Sequence, residues 1–419
     1  AVGAPKQAVS TFSIFFQLGL LVGFPAVPSP EQHQRDGGGD GIGPQGRWFP
    51  GHGEILASWK PRRSRVFELG TIQDQMPAPI GLILSNLGSP AAPTAAAVKP
   101  YLKQFLTDPR VLDMPWAVRQ LLVRGIIAPF RSHRSAHAYS KIWTPEGSPL
   151  VVNTRRLAEG VSRCLGDGWK VAMGMRYGEP SLESAFQELR RAGCGMIAIP
   201  PLYPQYASAT TLSTVEEFRR LAKRLEHPPT QLRVLPPFPV HPGFIQAQAD
   251  LIRPLLDGTD HEHVLFSFHG VPERHIRKGD GTGRCLTEGC CSTFSDSNRL
   301  CYKAQCHATA HGLAANLGLS EKRWSISFQS RLGRDVWIGP PTEQTAKELA
   351  AKGCRKLVVA TPAFVADCLE TLEEIGIGVR AIFLAAGGEN FALARCPNHD
   401  DAWVGVVASM ASSYLEPQS

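Results

Sequence analysis

The 419-residue sequence lacks an apolar run long enough to cross a bilayer, is short of charge, and has no basic stripe interleaved with aromatics. Each shortage removes a class of function. A spanning helix needs about 20 apolar residues. The nearest approach, roughly residues 12–27, follows Lys6, falls short of that, and is broken near its end by Pro25 and Pro28. It imitates at most the apolar part of a signal peptide. Charged residues make up 19%, below the usual quarter, so the body is not a disordered polyelectrolyte. Scattered Lys and Arg are not the footprint of a nucleic-acid binder, so no nucleic-acid partner is expected. The net charge of +7 favours anionic partners such as acidic lipids or carboxylate-bearing substrates.

What is present is a large apolar reservoir. At 43% hydrophobic residues the chain can build a substantial core, and its length predicts two domains or more. Residues 1–78 read differently, with stretches such as RDGGGDGIGPQGRWFPGHG. They are expected to be a disordered or artefactual extension, with a targeting segment as the alternative. Order begins near Ile80, where Ile80-Gly-Leu-Ile-Leu-Ser-Asn runs into the turn Leu87-Gly-Ser-Pro90. Comparable runs at 171–175, 196–199, 232–235, 264–268, 324–328, 357–360 and 381–384 predict further buried strands. Helix-period segments such as 181–192 and 342–351 lie between them. Apolar strands alternating with amphipathic helices imply α/β architecture with parallel sheets covered on both faces.

An internal repeat points to two similar lobes. Glu183, Glu188, Leu189, Gly193 and Cys194 fall on Glu343, Glu348, Leu349, Gly353 and Cys354. Each repeat feeds an apolar strand that ends in a Pro-containing loop, Pro201-Leu-Tyr203 or Pro362-Ala-Phe364. The expected domains are 79–245 and 246–410, with a tail at 411–419. Ligands of such sheets bind beyond the strand C-termini, so the two loops should line one cleft.

Two segments carry chemistry. Val264-Leu-Phe-Ser-Phe-His269-Gly-Val-Pro ends a buried strand in a histidine at the mouth of the sheet. A lone histidine is more often structural, but this placement favours function. In the other segment Asp367, Glu370 and Glu374 are spaced to share one helix face. Acidic residues in a first turn also oppose the helix dipole, which is reason enough for some of them.

These motifs resemble the ferrochelatase family. Ser267-Phe-His269-Gly-Val-Pro-Glu and Pro362-Ala-Phe-Val-Ala-Asp-Cys-Leu-Glu370-Thr-Leu-Glu-Glu are similar to its histidine and glutamate segments. Arg176-Tyr-Gly, Tyr203-Pro-Gln-Tyr-Ala-Ser-Ala-Thr-Thr211, Phe328-Gln-Ser-Arg-Leu-Gly333 and Trp337-Ile-Gly-Pro340 add to the match, which runs from about residue 79 to about residue 410. The resemblance implies two similar Rossmann-like domains around a porphyrin cleft. It implies insertion of ferrous iron into protoporphyrin IX or coproporphyrin III, with His269 and Glu370 as iron ligands; the one-turn spacing of Glu370 and Glu374 separately suggests Glu374 as a relay for cations or protons. Arg176, Tyr177, Tyr203, Ser208 and Thr211 would line the macrocycle. The expected place is the cytoplasm, with peripheral membrane contact left open and the oligomeric state unset. The rival readings are a cobalt or nickel tetrapyrrole chelatase, and a non-catalytic two-lobed tetrapyrrole-binding protein.

Of ten cysteines, five crowd into 285–306: Cys285, Cys290, Cys291, Cys301 and Cys306. Four thiolates suit a [2Fe–2S] cluster or a structural zinc, and the spacing is not that of a zinc ribbon. Some bacterial ferrochelatases carry such a cluster, and this insert at 280–306 resembles one type. The expected ligands are Cys285, Cys301, Cys306 and one of the neighbouring pair Cys290 and Cys291, with Cys291 preferred; which of the two is spare stays open.

Overall fold

The computed structural model describes residues 78–258, 261–280, 283–331 and 335–415. Expectations for residues 1–77 and 416–419 lie outside the described residues. Two four-stranded sheets, parallel throughout, share one topology. The first takes β1 (Ile80–Ser89), β2 (Trp169–Gly178), β3 (Met196–Ile199) and β4 (Leu232–Val234) in the order β2-β1-β3-β4. The second takes β5 (His263–His269), β6 (Trp324–Gln329), β7 (Lys356–Ala360) and β8 (Asn390–Leu393) in the equivalent order β6-β5-β7-β8.

Parallel neighbours need crossovers, and helices supply them. After β1 come α1 (Ala95–Leu106), α2 (Trp116–Leu121), a π-helical stretch (Leu122–Ile127), α3 (Ala128–Ser140) and α4 (Pro149–Leu165). Then α5 (Leu182–Arg191) and α6 (Ser213–Arg224) alternate with the remaining strands, and α7 (Pro242–Asp257) leads to β5. The second lobe uses α8 (Glu273–Gly279), α9 (Tyr302–Asn316), α10 (Thr342–Ala351), a π-helix (Glu370–Val379), α11 (Arg380–Ala385) and α12 (Asp401–Leu415).

The sequence repeat is a structural repeat. Met175 N–H donates to the Pro180 carbonyl at 2.7 Å, and Phe328 N–H donates to the Pro340 carbonyl at 2.8 Å. Cys194 and Cys354 N–H close the ends of α5 and α10 on the carbonyls of Leu189 and Leu349. Gly193 and Gly353 end the same helices at φ +76° and +99°, left-handed geometry that glycine adopts without a Cβ penalty.

One apolar cluster spans both sheets. It joins Leu82, Leu84 and Leu157 to Phe266, Phe268 and Phe328, all at most 1% exposed. Each such side chain contributes roughly 1.5–3 kcal/mol by leaving water. Trp403 of α12 packs against Phe238 and Phe244, and Val404 sits over Gly160 of α4. The C-terminal helix therefore braces the first lobe, and it reaches Leu415, past the expected start of the tail.

Two expectations need correction. Residues 381–384 are not a strand but part of α11; the last strand is Asn390–Leu393. A short apolar run does not distinguish a buried strand from a buried helical turn, and Phe383 serves equally well as a core-facing helical residue. Asp367 does not join Glu370 and Glu374 on a helix face. It precedes the π-helix, and its carboxylate accepts from Asn398 Nδ2 at 2.7 Å and from Cys396 N–H at 3.0 Å.

Candidate active site

The run Val264–Phe268 is fully buried, so β5 is anchored in the core and delivers His269 to its open end. There the chain must turn closely past β6. Gly270 N–H donates to the Gln329 carbonyl at 2.7 Å, and a Cβ on Gly270 would sit 2.8 Å from that oxygen. Only glycine allows the approach. His269 Nδ1 lies 2.6 Å from the Gly270 carbonyl. A carbonyl only accepts, so Nδ1 carries the proton and Nε2 keeps its lone pair. Burial lowers the imidazole's pKa, an effect that the charge of Glu370 opposes. The ring is therefore a neutral base, packed edge-on to Phe364 at 6.4 Å.

Glu370 opens the π-helix, a wide and rare form that recurs at functional sites. Its charge acts on His269 from the second lobe and on Tyr101 and Tyr139 from the first. Glu370 thus lies within electrostatic reach of groups on both lobes. Glu374, one turn on, accepts from Ser330 N–H at 2.8 Å and Ser330 Oγ at 2.6 Å. Burial still lifts its carboxyl to about 8. Glu373 points elsewhere and pairs with Lys141 of the first lobe at 2.9 Å.

The loops after β3 and β7 do meet. Gln205 Nε2 donates to the Pro362 carbonyl at 3.2 Å and to Thr309 Oγ1 at 3.0 Å, all buried. Arg131 and the neutral hydroxyls of Tyr101 and Tyr139 are further groups within electrostatic reach of Glu370. Sequence reasoning missed them. They lie on α1 and α3, which carry no motif, and only the fold brings them to Glu370.

The ferrochelatase family model matches residues 79–415. A ferrochelatase of Azotobacter vinelandii is 48% identical over 333 residues, covering 78% of this chain and 97% of that relative. One from Pseudomonas paraeruginosa is 45% identical, covering 80% and 98%, and one from Coxiella burnetii is 44% identical, covering 80% and 94%. The chain belongs to the ferrochelatase family. Among solved structures, SirB from Bacillus subtilis with Fe3+ aligns with a TM-score of 0.48 and 11% identity, over 81% of this chain and 96% of that one.

Within this ferrochelatase fold the residues expected around the macrocycle divide. Tyr203 is buried, its hydroxyl 3.5 Å from Thr214 Oγ1. Ser208 and Thr211 sit on a short π-helix, Ser208–Leu212, with Thr211 buried. Arg176 and Tyr177 are bound up in a polar knot. Asp108 Oδ2 accepts from Arg176 at 2.5 Å, from Tyr177 Oη at 2.8 Å and from Ser213 Oγ at 2.6 Å. Tyr177 is fully buried against Phe105. Arg176 also borders a polar cavity of about 320 Å³ with Gln104, Ser213 and Arg220, and neither His269 nor Glu370 lines it.

The cysteine insert brings four thiols near one another. Cys285 Sγ is 3.9 Å from Cys301 Sγ, Cys290 Sγ is 3.6 Å from Cys291 Sγ, and Cys291 hydrogen-bonds Cys301. Cys301 precedes α9, and contacts with Cys291 and with the N–H groups of Lys303 and Ala304 lower its pKa to about 6. That is thiolate character of the kind metal ligation needs. Cys306 is placed differently: it is fully buried and hydrogen-bonded to Tyr302. Among the described residues no group of three or more His, Cys, Asp or Glu side chains is gathered as a metal site. Among the described residues, too, no helix is long and apolar enough to cross a membrane.

Proposed function

We propose that this chain inserts ferrous iron into a porphyrin, protoporphyrin IX or coproporphyrin III, at the end of heme synthesis, with His269 and Glu370 holding the metal. What supports the reading is that His269, its Nδ1 committed to the Gly270 carbonyl, lies close enough to Glu370 for that carboxyl's charge to bear on the imidazole. Imidazole and carboxylate suit divalent iron, and two protein donors bind loosely enough to surrender it to four ring nitrogens. Two pyrrole protons must leave as iron enters. His269 Nε2 has one lone pair, so it serves as a base for that step only once the iron has left it for the ring. Glu374, its carboxyl pushed up to about 8 by burial, would continue the path along the π-helix.

An anaerobic insertion assay with Fe2+, Co2+ and Ni2+ on both porphyrins tests this. The reading expects iron insertion that His269→Ala abolishes. Insertion of cobalt or nickel alone would favour the rival chelatase. Porphyrin binding without insertion would favour the binding protein.

The donor chemistry of the insert fits a [2Fe–2S] cluster, which would give the segment a redox-active or structural centre. Cys285, Cys291 and Cys301 are its proposed ligands, with the fourth from Cys306, freed from Tyr302, or from Cys290. All ten cysteines are unpaired. Trp116, Leu121 and Phe130 are 69%, 74% and 76% exposed along α2 and α3. We propose these exposed apolar side chains of the α2–α3 segment as a peripheral membrane contact.

A further inference from the structure

We propose that Gln329 is a positioning residue that sets the gap between His269 and Glu370. The inference rests on the reading of that pair as the iron ligands. Gln329 stands directly opposite His269 in the β5–β6 ladder. Its backbone carbonyl takes the Gly270 N–H at 2.7 Å, so it fixes the chain just beyond the imidazole. Its side chain reaches the other way. Nε2 donates to the Glu370 carbonyl at 2.9 Å, while Oε1 accepts from Ser267 Oγ at 2.8 Å. Ser267 Oγ is itself tied to Thr342 Oγ1 at 2.8 Å, and Gln329 is only 3% exposed.

One buried residue therefore touches the two segments that carry the ligands. Both ends of its amide are held, which leaves no free rotamer. Asparagine is one methylene shorter, and glutamate offers no N–H to the Glu370 carbonyl. The next residue, Ser330, secures Glu374 in the same manner, through its N–H and Oγ. The end of β6 thus registers the π-helix against β5. A loosely held metal is sensitive to such registry, because a displacement of about 1 Å in a reacting group can cost about a hundredfold in rate.

The role predicts a split between substrates. Gln329→Glu keeps the acceptor and loses the donor, and Gln329→Met keeps the volume and loses both. The full-length variants are assayed anaerobically, varying ferrous iron and porphyrin separately. Both should raise the KM for iron about tenfold and leave the porphyrin KM within about twofold. An unchanged iron KM in a folded variant, or equal shifts in both constants, overturns the inference. Should these variants fail to fold, Ser267→Ala releases the amide from its other end and should show the same split, smaller in size; an unchanged iron KM there overturns it as well. His269→Ala and Glu370→Gln are run alongside. If they leave insertion intact, the reading of the iron pair fails. If they abolish it while the Gln329 variants match wild type, only the positioning role fails.

Discussion

Ser330 gives Glu374 two hydrogen bonds, from N–H at 2.8 Å and from Oγ at 2.6 Å, yet the buried carboxyl is pushed up to about 8. Desolvation outweighs two donors that favour the anion, and the charge of Glu370 adds to it. The folded state therefore prefers Glu374 protonated. Its contribution to stability is whole below the ordinary carboxyl value of 4.5 and drains as pH rises through about 8. Glu374→Gln removes that dependence. Melting curves of wild type and variant should diverge between pH 5 and pH 9, with the variant gaining toward alkaline pH; parallel curves contradict this. If the carboxyl relays protons, the same variant should slow insertion about a hundredfold with porphyrin affinity intact.

Asp108 is the second test of buried charge. Its Oδ2 serves Arg176, Tyr177 and Ser213 at once, and its side chain is 5% exposed. Asp108→Ala strands the Arg176 guanidinium, which should cost about 3–5 kcal/mol in denaturant titrations. A loss under about 1 kcal/mol would mean that water replaces the carboxylate.

For the insert, wild type purified without oxygen should be brown and contain iron and sulfide. Cys285→Ser and Cys301→Ser should be colourless. Of Cys290→Ser and Cys306→Ser, the one that stays brown names the spare thiol. A colourless wild type with stoichiometric zinc would replace the cluster with a structural metal.

The exposed apolar side chains on α2 and α3 predict sedimentation with vesicles containing anionic lipid. Replacing Trp116, Leu121 and Phe130 together by Ser should release the protein to the supernatant while melting temperature holds. Unaltered binding would place the membrane contact elsewhere.

Much of this was legible in the sequence because the local signals and the fold agree. The strand ending in His269, the repeat around Leu189 and Leu349, and the Glu370–Glu374 spacing all depend on neighbours in the chain. What was not legible depends on distant residues. Asp367 reads as part of an acidic face, but Asn398, 31 positions later, claims its carboxylate. Tyr101 and Tyr139 reach the surroundings of Glu370 only because Leu369 and Leu372 pack against the apolar cluster of the first lobe that holds them. Cys306 shares spacing with the other thiols, yet α9 turns it into the core beside Tyr302. The Ala381–Leu384 run misled because four apolar residues carry no period.

The central claim is that one metal ion can touch both lobe-facing donors. Crystals soaked with ferrous iron under anaerobic conditions, and examined at the iron absorption edge, address it directly. The account predicts an anomalous peak bridging His269 Nε2 and the Glu370 carboxylate, lost in His269→Ala. Iron found only among the cysteines, or retained at the cleft without the imidazole, would contradict it.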